Sequence, residues 1–388
     1  MNILMLAPEP FFEPRGTPIS VYFRIQALGE LGHRVTLVTY PIGKDVALRN
    51  LKIVRPPNLL GIHRIKIGPS LAKLPLDFLL LLQATLEVAG NPYDLIFSHE
   101  EAAILGVWIS RIWRKPHVYD MHSSLPQQLK NFEFTRSPFL ASLFRRMEHF
   151  VLRHSHSVIV ICRDLMDTVA GLGYGQKAVQ VENFLDFPAG EFTAEAIALK
   201  KKEYAPHGEK VVLYTGNFEP YQGIPLLLRA AQKVGPGAVF VLVGGTGRSL
   251  LEMKTLAGEL RISDKTAFVN KVSPSMVPFY LELADVLVSP RTSGTNTPLK
   301  IYSCLKSGKP FVATRLWTHT QVLSERHAVL CDPDAEHVAR GIEFALHSDE
   351  ARARARAARE WAEKEYAPSR YLEKISQVLA LARRNHSG

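Results

Sequence analysis

The stretch VLVSPRTSGTNTPLKIYSCLKSGKPFVAT, running from Val286 to Thr314, reads as one complete strand–loop–helix–strand unit. Val286–Ser289 is a short apolar run rich in β-branched residues, and Phe311–Thr314 is another. Between them, residues 290–298 form a polar loop with Gly294 at its centre. Thr297 suits a helix N-cap and Pro298 the first helical position, so a helix is predicted over 299–306, ended by Gly308. Strands that are apolar on both faces and separated by helices belong to parallel sheets covered on both sides.

The same grammar repeats outward along the chain. Strands are predicted at 3–7, 35–40, 95–98, 118–121 and 158–162, then at 211–214, 239–243, 267–269, 286–289 and 311–314. Residues 186–210, with Pro188, Gly190, Pro206, Gly208 and a run of three lysines, hold no strand pattern and read as a crossing between domains. The expected organisation is a domain over 1–188, a second over 189–365, and a C-terminal helix over 366–388 that returns to the first. The fold class is α/β, with two doubly wound Rossmann-like domains whose parallel sheets face each other across a cleft. Ligands of such sheets sit at the carboxyl ends of the strands.

Composition bounds what the chain can do. With 388 residues, 46% hydrophobic and 22% charged, it has the make-up of an ordinary globular protein, which excludes disordered, collagen-like and coiled-coil classes. No window approaches the ~18–20 apolar residues of a membrane span. The apolar N-terminus lacks the basic residues of an export signal, so a cytoplasmic location is expected. The cysteines, Cys162, Cys304 and Cys331, are too far apart for a zinc or disulfide framework and read as buried thiols. Net charge is +10, with 20 basic and 16 acidic residues before Pro188 and 27 and 21 from there on. So even a spread argues against a nucleic-acid partner and suits anionic small molecules or an anionic membrane surface.

Three loops could hold an anion. The first, 8–16, leads into a helix with Thr17 at its predicted N-cap, Pro18 following and Gly32 closing it. It lacks the G-x-G-x-x-G of a dinucleotide turn. The second, 215–223, carries Gly216, where a ligand can approach the backbone. The third is the loop 290–298, whose helix has Lys300 in its first turn, where a cation opposes the helix dipole unless an anion is bound there. Gly294, Thr295, Asn296, Thr297 and Lys300 therefore read as a phosphate site, against the alternative of a solvated lysine. Gly244 opens a further glycine-rich turn. His122, in Tyr119-Asp120-Met121-His122-Ser123-Ser124, stands at a strand's carboxyl end with no partner acid assigned by sequence.

Together these residues resemble a family 4 glycosyltransferase of the GT-B fold. The resemblance rests on Gly16-Thr17 and its helix, the 119–122 segment, Val181-Glu182-Asn183-Phe184-Leu185-Asp186, Leu213-Tyr214-Thr215-Gly216, Val241-Leu242-Val243-Gly244, 284–290 and Ser307-Gly308-Lys309-Pro310 in their shared order. It implies transfer of a sugar from a nucleotide-diphosphate donor with retention, without a metal or cofactor, and an acceptor that is a glycan or a lipid. His122 and Lys300 are the expected catalytic residues. Donor contacts are expected from Gly16, Thr17, Gly216, Asn217, Gln222, Gly244, Arg291, the 294–297 segment and Ser303. Acceptor contacts are expected from Ser123, Ser124 and Gln127.

The sequence also departs from that family. The arginine and lysine usual in the loop after the first strand of the second domain are replaced by Asn217 and Gln222, and the E-x(7)-E glutamates are missing. Lys300 and Arg291 are the available compensating cations. A catalytically inactive homologue serving as a binding or assembly subunit is the alternative reading, with an epimerase of the same fold a third. Asp332-Pro333-Asp334 matches the D-x-D metal signature of other sugar transferases but reads as a turn and helix cap. No cluster of carboxylates or histidines has metal-ligand spacing. A basic amphipathic helix over 136–154 can lie on an anionic membrane, which would make the protein peripheral, whereas the apolar stretch 74–86 reads as a buried helix.

Overall fold

The computed structural model describes residues 1–13, 16–59, 61–63, 65, 73–126, 138–183 and 190–387. Two compact units emerge: Met1–Asn183 together with Pro368–Gly388, and Phe184–Ala367.

The first unit runs β1 (Asn2–Ala7), α1 (Gly16–Glu30), β2 (Arg34–Thr39), β3 (Leu51–Val54), α2 (Leu74–Gly90), β4 (Leu95–His99), α3 (Ala102–Trp113), β5 (His117–Met121), α4 (Pro138–His154), β6 (Ser157–Val160), α5 (Arg163–Gly171) and β7 (Ala178–Gln180). Its seven strands are all parallel, in the order β3-β2-β1-β4-β5-β6-β7. The central strands are buried on both faces, as their unbroken apolar runs require. α1 ends in a Schellman turn: Gly32 adopts φ +80°, its N–H reaches the Gly29 carbonyl at 3.1 Å, and the His33 N–H reaches that of Leu28 at 2.9 Å.

The second unit runs α6 (Ala194–Tyr204), β8 (Lys210–Thr215), α7 (Ile224–Lys233), β9 (Ala238–Gly245), α8 (Gly247–Glu259), β10 (Thr266–Asn270), α9 (Val277–Leu283), β11 (Val286–Ser289), α10 (Lys300–Lys306), β12 (Phe311–Thr314), α11 (Trp317–Thr320), β13 (Val329–Cys331), α12 (Ala335–His347) and α13 (Asp349–Glu365). Its six-stranded parallel sheet has the order β10-β9-β8-β11-β12-β13. The last helix, α14 (Pro368–Ser387), belongs to the first unit. In both sheets the strand order reverses once, between β1 and β4 and between β8 and β11. Ligands of doubly wound sheets bind at the carboxyl ends beside such reversals.

The structure corrects several sequence expectations. β3, β7 and β13 went unpredicted because they are three- or four-residue edge strands, two of them broken by a lysine or a glutamine. The stretch 186–210, read as holding no strand, carries a helix, α6, capped by the Thr193 hydroxyl, which accepts from the Ala196 N–H at 3.2 Å. Neither Thr17 nor Thr297 is an N-cap. α1 already begins at Gly16, and α10 begins only at Lys300, because Pro298–Ile301 first makes a tight turn closed by Ile301 N–H to Pro298 O at 3.1 Å. Lys300 is thus the first residue of a seven-residue helix. The 74–86 stretch is not simply buried: α2 buries Leu76, Leu80, Ala84 and Val88 but turns Leu74, Phe78, Leu82 and Leu86 to solvent. Asp334 does cap α12, accepting from the His337 N–H at 2.9 Å, and the three cysteines are buried thiols outside any disulfide. No described helix is long and apolar enough to cross a membrane.

Candidate active site

Each unit carries one polar cluster at the carboxyl edge of its sheet. In the first unit it grows from an anomaly of sequence, a carboxylate inside a fully buried strand: Asp120 of β5 has no solvent exposure. A buried charge without a partner is strongly unfavourable, so the fold must supply one. It does so from α1, where Arg24 takes a position in the apolar stripe Val21, Arg24, Ile25 and Leu28 and is likewise fully buried. The Arg24 Nε–H donates to Asp120 Oδ2 at 2.9 Å, one terminal nitrogen donates to the Val181 carbonyl at 2.9 Å, and the other meets the Tyr371 hydroxyl of α14. Burial alone would raise the Asp120 carboxyl, but Arg24, with help from His122, holds it well below the usual carboxylate range.

His122 sits just past β5, two residues from this carboxylate. Its Nε2 lies 3.3 Å from Asp120 Oδ1 and 3.4 Å from His99 Nδ1, and His99 Nδ1 lies 3.4 Å from Asp120 Oδ2. The partner acid that the sequence could not assign is therefore in its own strand. Burial pushes the His99 imidazole down to about 3, so it is neutral at ordinary pH. Beside them, burial raises the Glu100 carboxyl to about 7, and Glu100 accepts from the Ser123 hydroxyl at 3.0 Å.

His99, Asp120 and His122 are close enough to ligate one metal ion, a tertiary cluster that spacing along the sequence did not reveal. Zinc and similar ions do favour imidazole and carboxylate ligands. Here, however, the only carboxylate of the set is already neutralised by a buried guanidinium, so a divalent ion would add uncompensated positive charge. The arrangement fits a hydrogen-bonded support that orients His122 better than a metal centre.

The other expected residues of this unit separate. Ser124 is buried, and its hydroxyl donates to Glu148 Oε1 at 3.2 Å while the Leu125 N–H takes Glu148 Oε2 at 2.8 Å. It therefore pins the loop after β5 to α4. Gly16 and Thr17 open α1 at the β1 edge, and Gln127 lies outside the described residues.

In the second unit, Lys300 is the centre. Its Nζ lies 3.8 Å from the centroid of the Tyr214 ring, donates to Gln222 Oε1 at 3.3 Å, and has no carboxylate in ion-pair range among the described residues. Burial lowers its ammonium to about 7. A Cβ added to Gly216 would stand 2.8 Å from that nitrogen, and one added to Gly244 would stand 2.2 Å from the Gly216 carbonyl oxygen. Both glycines, at φ +141° and +118°, are needed to leave this space. Gln222, where the resembled family has a cation, is buried and accepts from Lys300 instead of repelling it.

The loop 290–298 is held from behind. Arg291 stacks on Tyr221 with its guanidinium carbon 5.0 Å from the ring centroid and donates to the Asn296 carbonyl at 2.8 Å and Thr318 Oγ1 at 2.6 Å. The Gln321 amide donates to the Thr295 carbonyl at 2.7 Å, and buried His319 joins Ser289 at 2.9 Å to the Thr314 carbonyl at 2.8 Å. Arg291 is thus a scaffold for the loop rather than a free cation. Gly294, at φ +118°, packs over that guanidinium, while Thr297 is buried and its hydroxyl has no partner among the described residues. Asn217 is exposed, with its carbonyl accepting from the Tyr214 hydroxyl at 2.7 Å, and Ser303 is half-buried one turn beyond Lys300.

Sequence reasoning missed Arg24, His99, Tyr371 and the role of Asp120. Two signals could have found them: an arginine in the apolar stripe of α1 and an aspartate inside an apolar strand.

Comparisons with known proteins give this geometry a context. A family model described as glycosyl transferases group 1 matches residues 196–361, and one described as a glycosyl transferase 4-like domain matches 21–183. Alpha-monoglucosyldiacylglycerol synthase of Streptococcus pneumoniae is 26% identical over 240 residues, 59% of this chain and 53% of that protein. D-inositol 3-phosphate glycosyltransferase of Mycobacteroides abscessus is 24% identical over 300 residues, 76% of this chain and 64% of that protein. The match therefore spans less than two thirds of the length of either relative. Among solved structures, sucrose-phosphate synthase of Thermosynechococcus elongatus superposes with a TM-score of 0.77 at 20% identity, covering 98% of both chains. Anabaena HepE in complex with UDP-glucose gives 0.74 at 18% identity, covering 98% of this chain and 99% of that one. These likenesses show the fold.

Proposed function

We propose that this chain, which belongs to family 4 of the glycosyltransferases and has their GT-B fold, transfers a sugar from a nucleotide-diphosphate donor to an acceptor with retention at the anomeric carbon. The observation that carries this reading is Lys300, a half-buried ammonium beside two glycines and without a carboxylate partner among the described residues. An unneutralised cation over open backbone suits a diphosphate. As the bond from the sugar to the diphosphate breaks, negative charge grows on the leaving oxygen, and a cation already in place stabilises it without rearrangement. His122, held by Asp120 and His99, is the group we assign to the transferred sugar. The UDP-glucose complex of HepE supports a nucleotide-sugar donor, and the name of the pneumococcal relative supports a lipid acceptor, a glycan being the other class.

A thermal-shift screen of nucleotides and nucleotide sugars tests the donor, since a ligand that binds only the folded state raises its melting temperature. Hydrolysis of the stabilising nucleotide sugar without acceptor then separates an enzyme from an inactive homologue. Stabilisation without any turnover would favour the second.

Lys300→Ala is expected to weaken nucleoside-diphosphate binding by ~1.5–3 kcal/mol, the scale of a charge-assisted hydrogen bond, with little effect on folding. Because burial leaves Lys300 near 7 without ligand and an anion raises it again, binding takes up a proton. Affinity should therefore weaken as pH rises above about 7 and lose that dependence in Lys300→Ala. Calorimetry measures both, and unchanged affinity in the variant removes Lys300 from the phosphate site. Transfer should also survive a chelator. Activity lost with EDTA and restored by Mg²⁺, Mn²⁺ or Zn²⁺ would return the His99–Asp120–His122 cluster, or Asp332 with Asp334, to consideration as a metal site.

A further inference from the structure

The polar edges of both sheets are accounted for; one apolar surface is not. α2 is apolar on its outer as well as its inner face, and the outer one presents Leu74, Phe78, Leu82 and Leu86, each between 50% and 65% exposed. Four large side chains four residues apart form a ridge ~18 Å long at the helical rise. Exposed single apolar residues are ordinary, but a continuous ridge is not.

Topology extends this ridge into a face. The connections β3–α2–β4, β4–α3–β5 and β5–α4–β6 all step across the sheet in one direction, whereas β1–α1–β2 steps in the other. Right-handed crossovers then put α2, α3 and α4 on one side of the sheet and α1 on the opposite side. On that side α3 exposes Trp108 and Ile112, and α4 exposes Phe139.

Charge identifies what covers it. α3 contains no acidic residue, and the one acid of α4, Glu148, is buried. Exposed Arg111, Arg114, Arg145, Arg146 and Arg153 accompany the apolar groups. The two acids of α2 are engaged at its inner edge: Asp77 accepts from the Tyr40 hydroxyl at 2.5 Å and Glu87 from that of Tyr93 at 3.1 Å. A two-fold pairing of this face with a second copy would bring a basic surface against itself. We infer that the α2–α3–α4 face docks on an anionic lipid bilayer, with the α2 ridge entering the acyl boundary and the arginines of α3 and α4 meeting the headgroups. The inference rests on the surface alone and does not require the sugar-transfer reading.

Flotation of the intact chain with vesicles of phosphatidylcholine alone, and of phosphatidylcholine mixed with phosphatidylglycerol, tests it. Binding is expected on the anionic vesicles only and should weaken with added salt. Phe78→Asp with Leu82→Asp is expected to reduce the bound fraction at least about tenfold, since a charge cannot enter the acyl boundary. Trp108 supplies a readout that needs no destabilising variant: its emission should shift to the blue on anionic vesicles and be quenched by brominated acyl chains, and Trp108→Phe should remove that component. Circular dichroism checks that the double variant is folded. Absence of binding to anionic vesicles at low salt overturns the inference. So does unchanged binding by the folded double variant, unquenched Trp108 in bound protein, or a dimer in solution that the double variant dissociates while vesicles are ignored, which would assign the face to a second copy. Donor hydrolysis in vesicle-free solution should be the same in the double variant and the parent, so that failure here and failure of the transfer reading are told apart.

Discussion

Replacing Arg24 by methionine is expected to destabilise the first unit by about 3–5 kcal/mol, because it leaves Asp120 as a buried charge without its partner. For a unit of this size that is a fall in melting temperature of roughly 6–20 °C. Asp120→Asn should be costly for the mirror reason, since it strands the guanidinium. The double variant Arg24→Met/Asp120→Asn should recover a substantial part of the summed loss, as two groups in direct contact are not additive. The same pair makes a pH prediction. Asp120 is held well below its ordinary range in the folded state, so it contributes stability above the unfolded pKa of about 4 and that contribution declines as pH falls below it. Acid unfolding of the wild type should therefore be steeper than that of the double variant. Thermal melts across pH read all of this, and an Arg24→Met protein as stable as the parent would show that the ion pair is not what keeps Asp120 in the strand.

His122→Ala is expected to lower turnover by about 100-fold or more, with donor affinity nearly intact. The separation follows from position. Lys300, in the second unit, is the group assigned to the diphosphate and so governs binding, whereas His122 is assigned to the transferred sugar, where interactions matter as the bond to the leaving group lengthens. His122 is anchored by the carboxylate 3.3 Å away, and the alanine variant leaves that carboxylate with Arg24, so the fold should persist. Single-turnover kinetics with binding measured separately distinguishes the two effects. Near-normal turnover would make His122 a structural residue of the β5 edge, and parallel losses of binding and turnover would place it on the donor rather than on the reacting centre.

The features legible without coordinates were local in origin. Short apolar runs such as Val286–Ser289 must be buried on both faces, and helices between them must cover the sheets, so the parallel α/β architecture followed from pattern. The stop at Gly32 was legible because only glycine takes φ +80° easily. The glycines and Lys300 of the second unit stood out in the sequence by residue type and place after a strand, whereas their approach to one another is set by packing. Edge strands were not: Ala178–Gln180 is three residues long and acquires its strand conformation from β6, its one neighbour. The helix start at Lys300 was likewise set by the turn before it rather than by threonine and proline preference. The environment of His122 came from long-range packing. Residues 24, 99, 120 and 371 lie on two helices and two strands, and one requirement joins them: a carboxylate fully removed from water must meet a cation. Which of 47 lysines and arginines supplies it depends on how α1 crosses the sheet. The same holds for α2, where Leu80 and Leu82 are the same residue two positions apart. Leu80 is buried and Leu82 is half exposed because the sheet and its neighbouring helices pack against one side of the helix and not the other, a distinction that residue type does not carry.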